Sequence, residues 1–390
     1  MKTEDRRDGI ERLTQFVCLL NTDLVISRDS YRAWCAEPKN RTKMAELFGY
    51  IQKPGMPVIS SLVNADFHPK FPLVMFNYTP TAHNTLHGFP EGWTSALRMC
   101  RGIVFTQRAE LLAHPFPKFF NLGEHPESTL DALMQNGPWG VLPKEDGHLG
   151  IVFRYQGELV LTTRGSFVSP TVKFGSEMLV GYQELYRWDL HIPPKTTCLF
   201  EIIDPSTKVH VDYGVQKRFV LLAVYDNVSL REWSMDEKLV LAKKLSVSPG
   251  NTYALYENPK QIESLVGSMK DRSVRNREGY VITCANGVKV KIKFETYIQM
   301  MVMAKLSPTY LMSRILAGNL DKMLSTLDEE VVGTANELFG RIFRVLYMKD
   351  LKEKRRHLYA LVPAEKNTPY YRGLCNKLIR HLDENWHPAP

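Results

Sequence analysis

The sequence predicts an α+β fold: a central body of short, mostly antiparallel strands with helices, followed by an all-helical C-terminal domain. Two observations carry this. Between about 57 and 297, short apolar runs at strand period alternate with Gly-, Pro- and Asn-containing turns. After about 297 the period becomes helical and stays so. A 390-residue chain with 44% hydrophobic and 24% charged residues is of ordinary globular composition, large enough for two or three domains.

Ile10, Leu13, Phe16, Val17 and Leu20 have helical spacing and predict a helix over 9–21. A second helix is expected over 41–52, so residues 1–56 read as a helical N-terminal extension. Strands are expected at 57–62, 73–78, 102–105, 149–155, 158–163, 198–203, 219–225, 280–283 and 288–293. Gln156-Gly157 should close a hairpin between two of them. Helices are expected near 170–187, 235–244 and 259–269. These elements form one body over 57–298. In 299–390, Ser307-Pro308 starts a helix that Gly318 ends. A longer helix from about 328 presents Val331, Ala335, Leu338, Ile342 and Val345 on one face and leads into Lys352-Glu353-Lys354-Arg355-Arg356. Helix resumes over 369–384.

No apolar run is long enough to span a membrane. The charged start Met1-Lys2-Thr3-Glu4-Asp5-Arg6-Arg7-Asp8 lacks a signal-peptide core. The expected setting is cytoplasmic, or the host cytoplasm for a viral protein. Cys18, Cys35, Cys100, Cys198, Cys284 and Cys375 are scattered without a C-x-x-C pair, which argues against zinc clusters and disulfide scaffolds. A net charge of +8 suits a polyanionic partner but does not identify one.

Lys144-Glu145-Asp146-Gly147 precedes an expected strand. A K-x-D-G string arises by chance in about one chain of this length in ten. Alone it would be a turn with a solvated lysine. Here further short motifs follow in order: Thr163-Arg164-Gly165-Ser166, Leu199-Phe200-Glu201-Ile202, the apolar run 219–225, Glu278-Gly279-Tyr280-Val281 and Val290-Lys291-Ile292-Lys293. Upstream stand Cys100-Arg101-Gly102-Ile103-Val104-Phe105 and Pro117-Lys118-Phe119-Phe120-Asn121-Leu122.

This ordered set resembles the covalent nucleotidyltransferase superfamily of polynucleotide ligases and capping enzymes. With its upstream segment, K-E-D-G string and Tyr297, it is most similar to the phage-type RNA ligase 1 family over roughly 70–300. The resemblance implies a nucleotidyltransferase (ATP-grasp-like ligase) domain. It also implies ATP as AMP donor, Mg2+ or Mn2+, and an RNA substrate with 5′-phosphate and 3′-hydroxyl ends, broken tRNA among the candidates. A monomer without membrane attachment is expected.

The implied reaction moves AMP from ATP to a lysine, then to an RNA 5′-phosphate, before a 3′-hydroxyl displaces it. A covalent intermediate splits one difficult step into easier ones. Lys144 is the expected nucleophile. Lys291 and Lys293 alternate with apolar residues, so both face one side of a strand. The resemblance sets that side against the α-phosphate, where charge develops. Glu201 and Glu278 are implied metal-site acids, Glu201 alternatively a ribose ligand; hard divalent cations take carboxylate and water oxygens. Arg101 and Lys118 are implied to hold the triphosphate tail. Phe120 either stacks near the nucleotide or fills the core. Glu145, Gly147, Arg164 and Tyr297 are implied nucleotide contacts, with Arg164 standing where the family usually has lysine. Gly147 and Gly165 read as points of close approach to the nucleotide. Asp146 is expected to act in the RNA steps. His148 reads as incidental.

Lys352–Arg356 is either an RNA-backbone grip or a solvated basic helix end. Tyr370-Tyr371-Arg372 reads more readily as packing than as base stacking. Rival readings are a capping guanylyltransferase or DNA ligase of the same superfamily, against which the helical continuation argues, and a non-catalytic RNA-binding protein.

Overall fold

The computed structural model describes residues 1–207, 210–250, 254–305, 308–316, 337–361 apart from 339, 343, 346, 347 and 349, and 369–385. The chain divides into two compact units, Met1–Phe294 and Glu295–Pro390.

The first unit contains three sheets among its described residues. β1 (Val63–Phe67), β2 (Leu73–Tyr78), β3 (Arg101–Thr106) and β4 (Leu111–Ala113) form an antiparallel meander. A second sheet has the order β10-β9-β7-β8, with β7 His148–Tyr155, β8 Glu158–Thr163, β9 Thr196–Ile203 and β10 Arg218–Asp226. A third has the order β11-β6-β12-β13-β5. Its strands are β5 (Phe120–Asn121), β6 (Trp139–Lys144), β11 (Ala254–Tyr256), β12 (Gly279–Cys284) and β13 (Lys289–Lys293). Only β13–β5 is parallel. The β7–β8 hairpin turns at Gln156-Gly157 as expected, with φ of 50° and 88°. Positive φ at both central residues suits the right-handed twist of paired strands.

Helices Thr3–Thr22, Arg28–Ala36 and Pro38–Phe48 share one core with β1–β3. Phe16 lies at its centre, 5.7 Å from Trp34, 5.2 Å from Phe48 and 5.5 Å from Phe76, ring to ring. Of the last two helices, Arg28–Ala36 is not expected from the sequence, and the helix expected over 41–52 runs instead over Pro38–Phe48. The first is polar, with only Tyr31 and Trp34 buried, so its apolar stripe is thin. It is capped by Ser27, whose hydroxyl accepts from Ser30 N. The strand expected at 57–62 is displaced: Ile59–Ser61 form a 3-10 turn and β1 begins at Val63.

The second sheet is covered on both faces. Val152, Phe200 and Ile202 pack beneath helices Pro170–Tyr186 and Met235–Leu245, where Trp188 stacks on Phe200 at 5.0 Å. Ile151, Phe153 and Leu199 pack against Leu73, Met75 and Val104 of the first sheet. Every residue of β9 is buried, Glu201 among them. By strand alternation Glu201 continues the Leu199 face.

In the second unit, Glu295–Lys305, Pro308–Leu316, Leu351–Tyr359 and Pro369–Asn385 are helical. Pro308 takes the first helical position, as expected. Gly318 and the start of the helix expected from 328 lie outside the described residues. The basic cluster Lys352–Arg356 does not end a long helix. It opens a helix of its own, capped by Asp350, whose carboxylate accepts from the N–H groups of Lys352 and Glu353. Tyr371 is buried, and its hydroxyl donates to Leu358 O at 2.7 Å. No described helix is long and apolar enough to cross a membrane. All six cysteines are free thiols.

Candidate active site

The third sheet assembles the centre of the site. In its register Lys144 lies opposite Gly279, and Gly279 opposite Lys293. Residues directly opposite in antiparallel strands project to the same face. Two lysines therefore flank a position without a side chain. A Cβ at Gly279 would collide with Ile292 O and lie 2.7 Å from Lys293 Cα. Glu278, one residue earlier, fills the gap with its carboxylate. Its Oε2 accepts from Lys144 Nζ at 2.8 Å, and its Oε1 faces Lys293 Nζ at 3.0 Å. Glu278 is 3% exposed, Lys293 9% and Lys144 25%. Lys144 is thus the solvent-facing member of a pair of cations sharing one buried anion. Lys291 stands one row further along the same face, opposite Val281 and beyond it Leu142. Two residues along a strand are about 6.6 Å.

The K-E-D-G string links this sheet to the second one. After Lys144 the chain turns and enters β7 at His148. Asp146, nearly buried, is fixed by partners distant in sequence. Its Oδ2 accepts from His210 N at 2.6 Å and Val211 N at 2.8 Å. Its own N–H donates to the Tyr213 hydroxyl at 2.7 Å. Sequence reasoning missed this clamp; no spacing or composition signal marks residues 210–213. Glu145 is also buried, and it hydrogen-bonds with the Tyr213 side chain.

Gly147 approaches protein backbone. A Cβ there would sit 2.6 Å from Ile202 O and 2.9 Å from Glu201 Cγ. Its N–H donates to Glu201 Oε1 at 2.9 Å, so the glycine lets the loop lie on β9 and hold that carboxylate. At Gly165 a Cβ would meet only Asn77 Nδ2, at an ordinary 3.4 Å. Close approach is instead required at Gly102, with φ of 95°, where a Cβ would be 2.9 Å from Arg164 Cα. Gly147→Ala should cost about 1–3 kcal/mol, because neither crowding atom sits on a movable side-chain tip. Urea unfolding would measure this; an unchanged midpoint would contradict the packing described.

Burial pushes the Glu201 carboxyl up to about 8; Lys144 and the Gly147 N–H oppose the rise, while Glu278 and Asp146 add to it. An unfolded glutamate titrates near 4.3. Between those values the folded chain holds a proton that the unfolded chain has released. Stability therefore falls as pH rises from about 4.5 to about 8. Glu201→Gln removes this term, so in metal-free buffer the variant should gain on wild type by roughly 2–4 kcal/mol across that window. Urea midpoints at pH 5, 6.5 and 8 would test it; a pH-independent difference would show an ordinary ionised glutamate.

The upstream segment supplies one buried cation, Lys118, and one half-buried, Arg101. Lys118, 1% exposed, pairs with Glu124 at 3.2 Å and lies 4.8 Å above the Phe120 ring. Phe120 is a buried core residue stacked on His125 at 4.2 Å. Arg101 opens β3 and lies 5.7 Å above Phe119. The Arg164 guanidinium donates to the Tyr78 hydroxyl at 3.2 Å and covers that ring. His148 has its basicity lowered by burial, against the pull of Asp146 and Asp204. Tyr297, buried, belongs to helix Glu295–Lys305 of the second unit. An open pocket of about 430 Å³ lies elsewhere, lined by Arg28, Arg32, Asn64, Asp66 and Gly165 among others, and by none of Lys144, Glu278, Lys291 or Lys293.

Glu201 and Glu278 offer carboxylate oxygens, the donor type that suits Mg2+ or Mn2+. The described residues contain no group of three or more His, Cys, Asp or Glu placed to hold a metal. An ion here would take its remaining ligands from substrate phosphate and water.

The profile of a family described as RNA ligase matches residues 99–298. A putative RNA ligase of Thermovibrio ammonificans is 30% identical over 190 residues, 46% of this chain and 49% of that protein. RNA ligase 1 of Bacteriophage TS2126 is 27% identical over 220 residues, 54% of this chain and 53% of that protein. The chain thus spans about half the length of the curated relatives it matches. Among solved structures, an archaeal ATP-dependent RNA ligase aligns at 14% identity over 92% of this chain and 99% of its own, with a TM-score of 0.45. A Naegleria gruberi RNA ligase solved with PPi aligns at 16% identity over 47% of this chain and 56% of its own, with a TM-score of 0.38.

Proposed function

Because the chain belongs to the RNA ligase family, whose profile covers every strand of the sheet that bears Lys144, we propose that it is an ATP-dependent RNA ligase acting through a Lys144–AMP intermediate. The observation that supports this most directly is the row Lys144–Gly279–Lys293 with Glu278 between the two ammonium groups.

The side chains suit the first step. Lys144 Nζ attacks the α-phosphorus of ATP; a P–N bond forms, the bond to the bridging oxygen breaks, and pyrophosphate leaves. Before attack Nζ must lose a proton, and Glu278 Oε2 at 2.8 Å is the acceptor in place. Lys293, and Lys291 one row away, place positive charge where the α-phosphoryl oxygens gain negative charge. Arg101 and Lys118 hold the departing pyrophosphate, arginine in the bidentate manner that phosphate favours. A divalent ion on Glu201 and Glu278 would add charge neutralisation at the phosphates. Asp146, fixed by two backbone N–H groups, serves the later RNA steps, in which the 5′-phosphate takes AMP from Lys144 and the 3′-hydroxyl displaces it. Glu145, Gly147, Arg164 and Phe120 complete the nucleotide surroundings as contacts or supports. Broken tRNA is the proposed physiological substrate class, in the cytoplasm of a cell or host, with the protein acting as a monomer.

The test is to supply labelled ATP and GTP in parallel, with 5′-phosphorylated, 3′-hydroxyl RNA. Label from ATP alone on the protein, and circular or joined RNA, are expected. Labelling by GTP would make it a capping enzyme. Sealing of nicked DNA with inert RNA would make it a DNA ligase.

A further inference from the structure

Lys289 continues the lysine row. Lys289, Lys291 and Lys293 are half-buried and alternate with buried Val290 and Ile292 on β13. At the Lys293 end the row is fixed by Glu278. At the Lys289 end β13 leaves the tight turn from β12, which Cys284 N closes onto Val288 O at 2.8 Å.

There the ammonium of Lys289 meets Glu232 Oε1 at 3.0 Å and donates to Thr283 Oγ1 at 3.1 Å. The other oxygen of Glu232 accepts from the Tyr225 hydroxyl at 2.8 Å. Tyr225, at the end of β10, is fully buried. The guanidinium of Arg6, on the N-terminal helix, lies 4.8 Å over its ring and donates to Leu230 O at 3.0 Å. Lys238, also buried, donates to Leu222 O at 3.3 Å and is electrostatically coupled to Glu232. One carboxylate thus joins β10 to β13, and reaches the N-terminal helix through the Tyr225 ring that Arg6 covers. Lys289 also lies 5.6 Å over the Phe116 ring, and Phe116 is 6.0 Å from Phe119, which Arg101 covers.

We propose that Glu232 is a positioning residue for AMP transfer: through Lys289 it clamps the hairpin end of the β13 lysine row, and through Tyr225 it ties that row to β10 and the N-terminal helix. The clamp sets the height of Lys291 and Lys293 above the sheet, and it gives the N-terminal segment a role in the site. It rests on the ligase reading. Burial alone would favour a neutral Glu232, but Lys289, Tyr225 and Arg6 more than offset that and hold its carboxyl below the ordinary glutamate range. The clamp is therefore charged at neutral pH.

The test is single-turnover formation of Lys144–AMP, titrated with ATP, in wild type, Glu232→Gln, Glu232→Asp, Lys289→Met and the Gln/Met double variant, with thermal midpoints for each. Glu232→Gln and Lys289→Met should each slow AMP transfer about 10-fold. The double variant should be no slower than the worse single one, because both break the same contact. Glu232→Asp should recover most of the rate. Additive losses in the double variant, or a rate that only tracks the midpoint, would overturn the clamp. So would a wild-type rate in Glu232→Gln. A wild type that forms no adduct would overturn the ligase reading and the clamp with it.

Discussion

Lys144→Ala is expected to form no covalent AMP adduct, whereas wild type mixed with ATP and Mg2+ or Mn2+ should gain the mass of one AMP. Intact-mass measurement reads this directly. The neighbouring Lys293 is not expected to substitute. Lys293 shares Glu278 but is 9% exposed against 25% for Lys144, so an incoming phosphorus meets Lys144 first. Loss of a covalent nucleophile typically removes more than about 10³-fold of rate. Folding should survive, because Glu278 keeps Lys293 as its partner. The variant should therefore still seal RNA that already carries 5′-AMP, if the site is otherwise intact. An unmodified wild type, or an adduct persisting in the alanine variant, would remove Lys144 from this role.

Glu278→Ala is expected to have the second-largest effect. It leaves two ammonium groups with no carboxylate between them, and removes the proton acceptor at Lys144. AMP transfer should fall by about 10²–10³-fold, the range seen when one preorganised polar group is deleted from a site. Stability should fall by about 2 kcal/mol, less than the full cost of breaking a buried pair, since Lys144 is partly solvated. Glu278→Gln should recover much of the stability and little of the rate, because an amide oxygen satisfies one ammonium but accepts no proton at neutral pH. Single-turnover rates and urea midpoints separate the two effects. A glutamine variant with wild-type AMP transfer would rule out Glu278 as the acceptor.

Much of the fold was legible because period and turn chemistry agree. The run 73–78 and the hairpin over 148–163 follow directly from short continuous apolar runs and from Gln156-Gly157. β6 was not legible, because Trp139–Lys144 contains Pro143. Proline normally argues against a central strand. The exception is local: β11 pairs with β6 only from Trp139 to Val141, so Pro143 has a single strand neighbour. β1 was misplaced because its buried Asp66 breaks the apolar pattern; that carboxylate takes Arg28 Nε at 2.7 Å and Phe167 N at 3.0 Å, partners that no local window contains.

The site was legible as chemistry and not as geometry. Lys291 and Lys293 share a face by alternation alone. That Lys144 joins them depends on the pairing of β6 with β12, which the sequence does not specify. The same holds for the grip of His210 and Val211 on Asp146. The Glu232–Lys289 contact had a visible half, since Val288-Lys289-Val290-Lys291-Ile292-Lys293 shows three alternating lysines, but its acid lies 57 residues away.

The crowding at Gly147 and Gly279 also bears on how mutational tolerance should be read. Any side chain at either position strikes protein backbone, Ile202 O in one case and Ile292 O in the other. A saturation library selected only for soluble expression should already be depleted of substitutions at both. Intolerance at 147 or 279 then reports on folding. Position 291, half-buried at a strand surface, carries no such constraint on its Cβ, so depletion there under selection for RNA joining, but not for expression, marks chemistry.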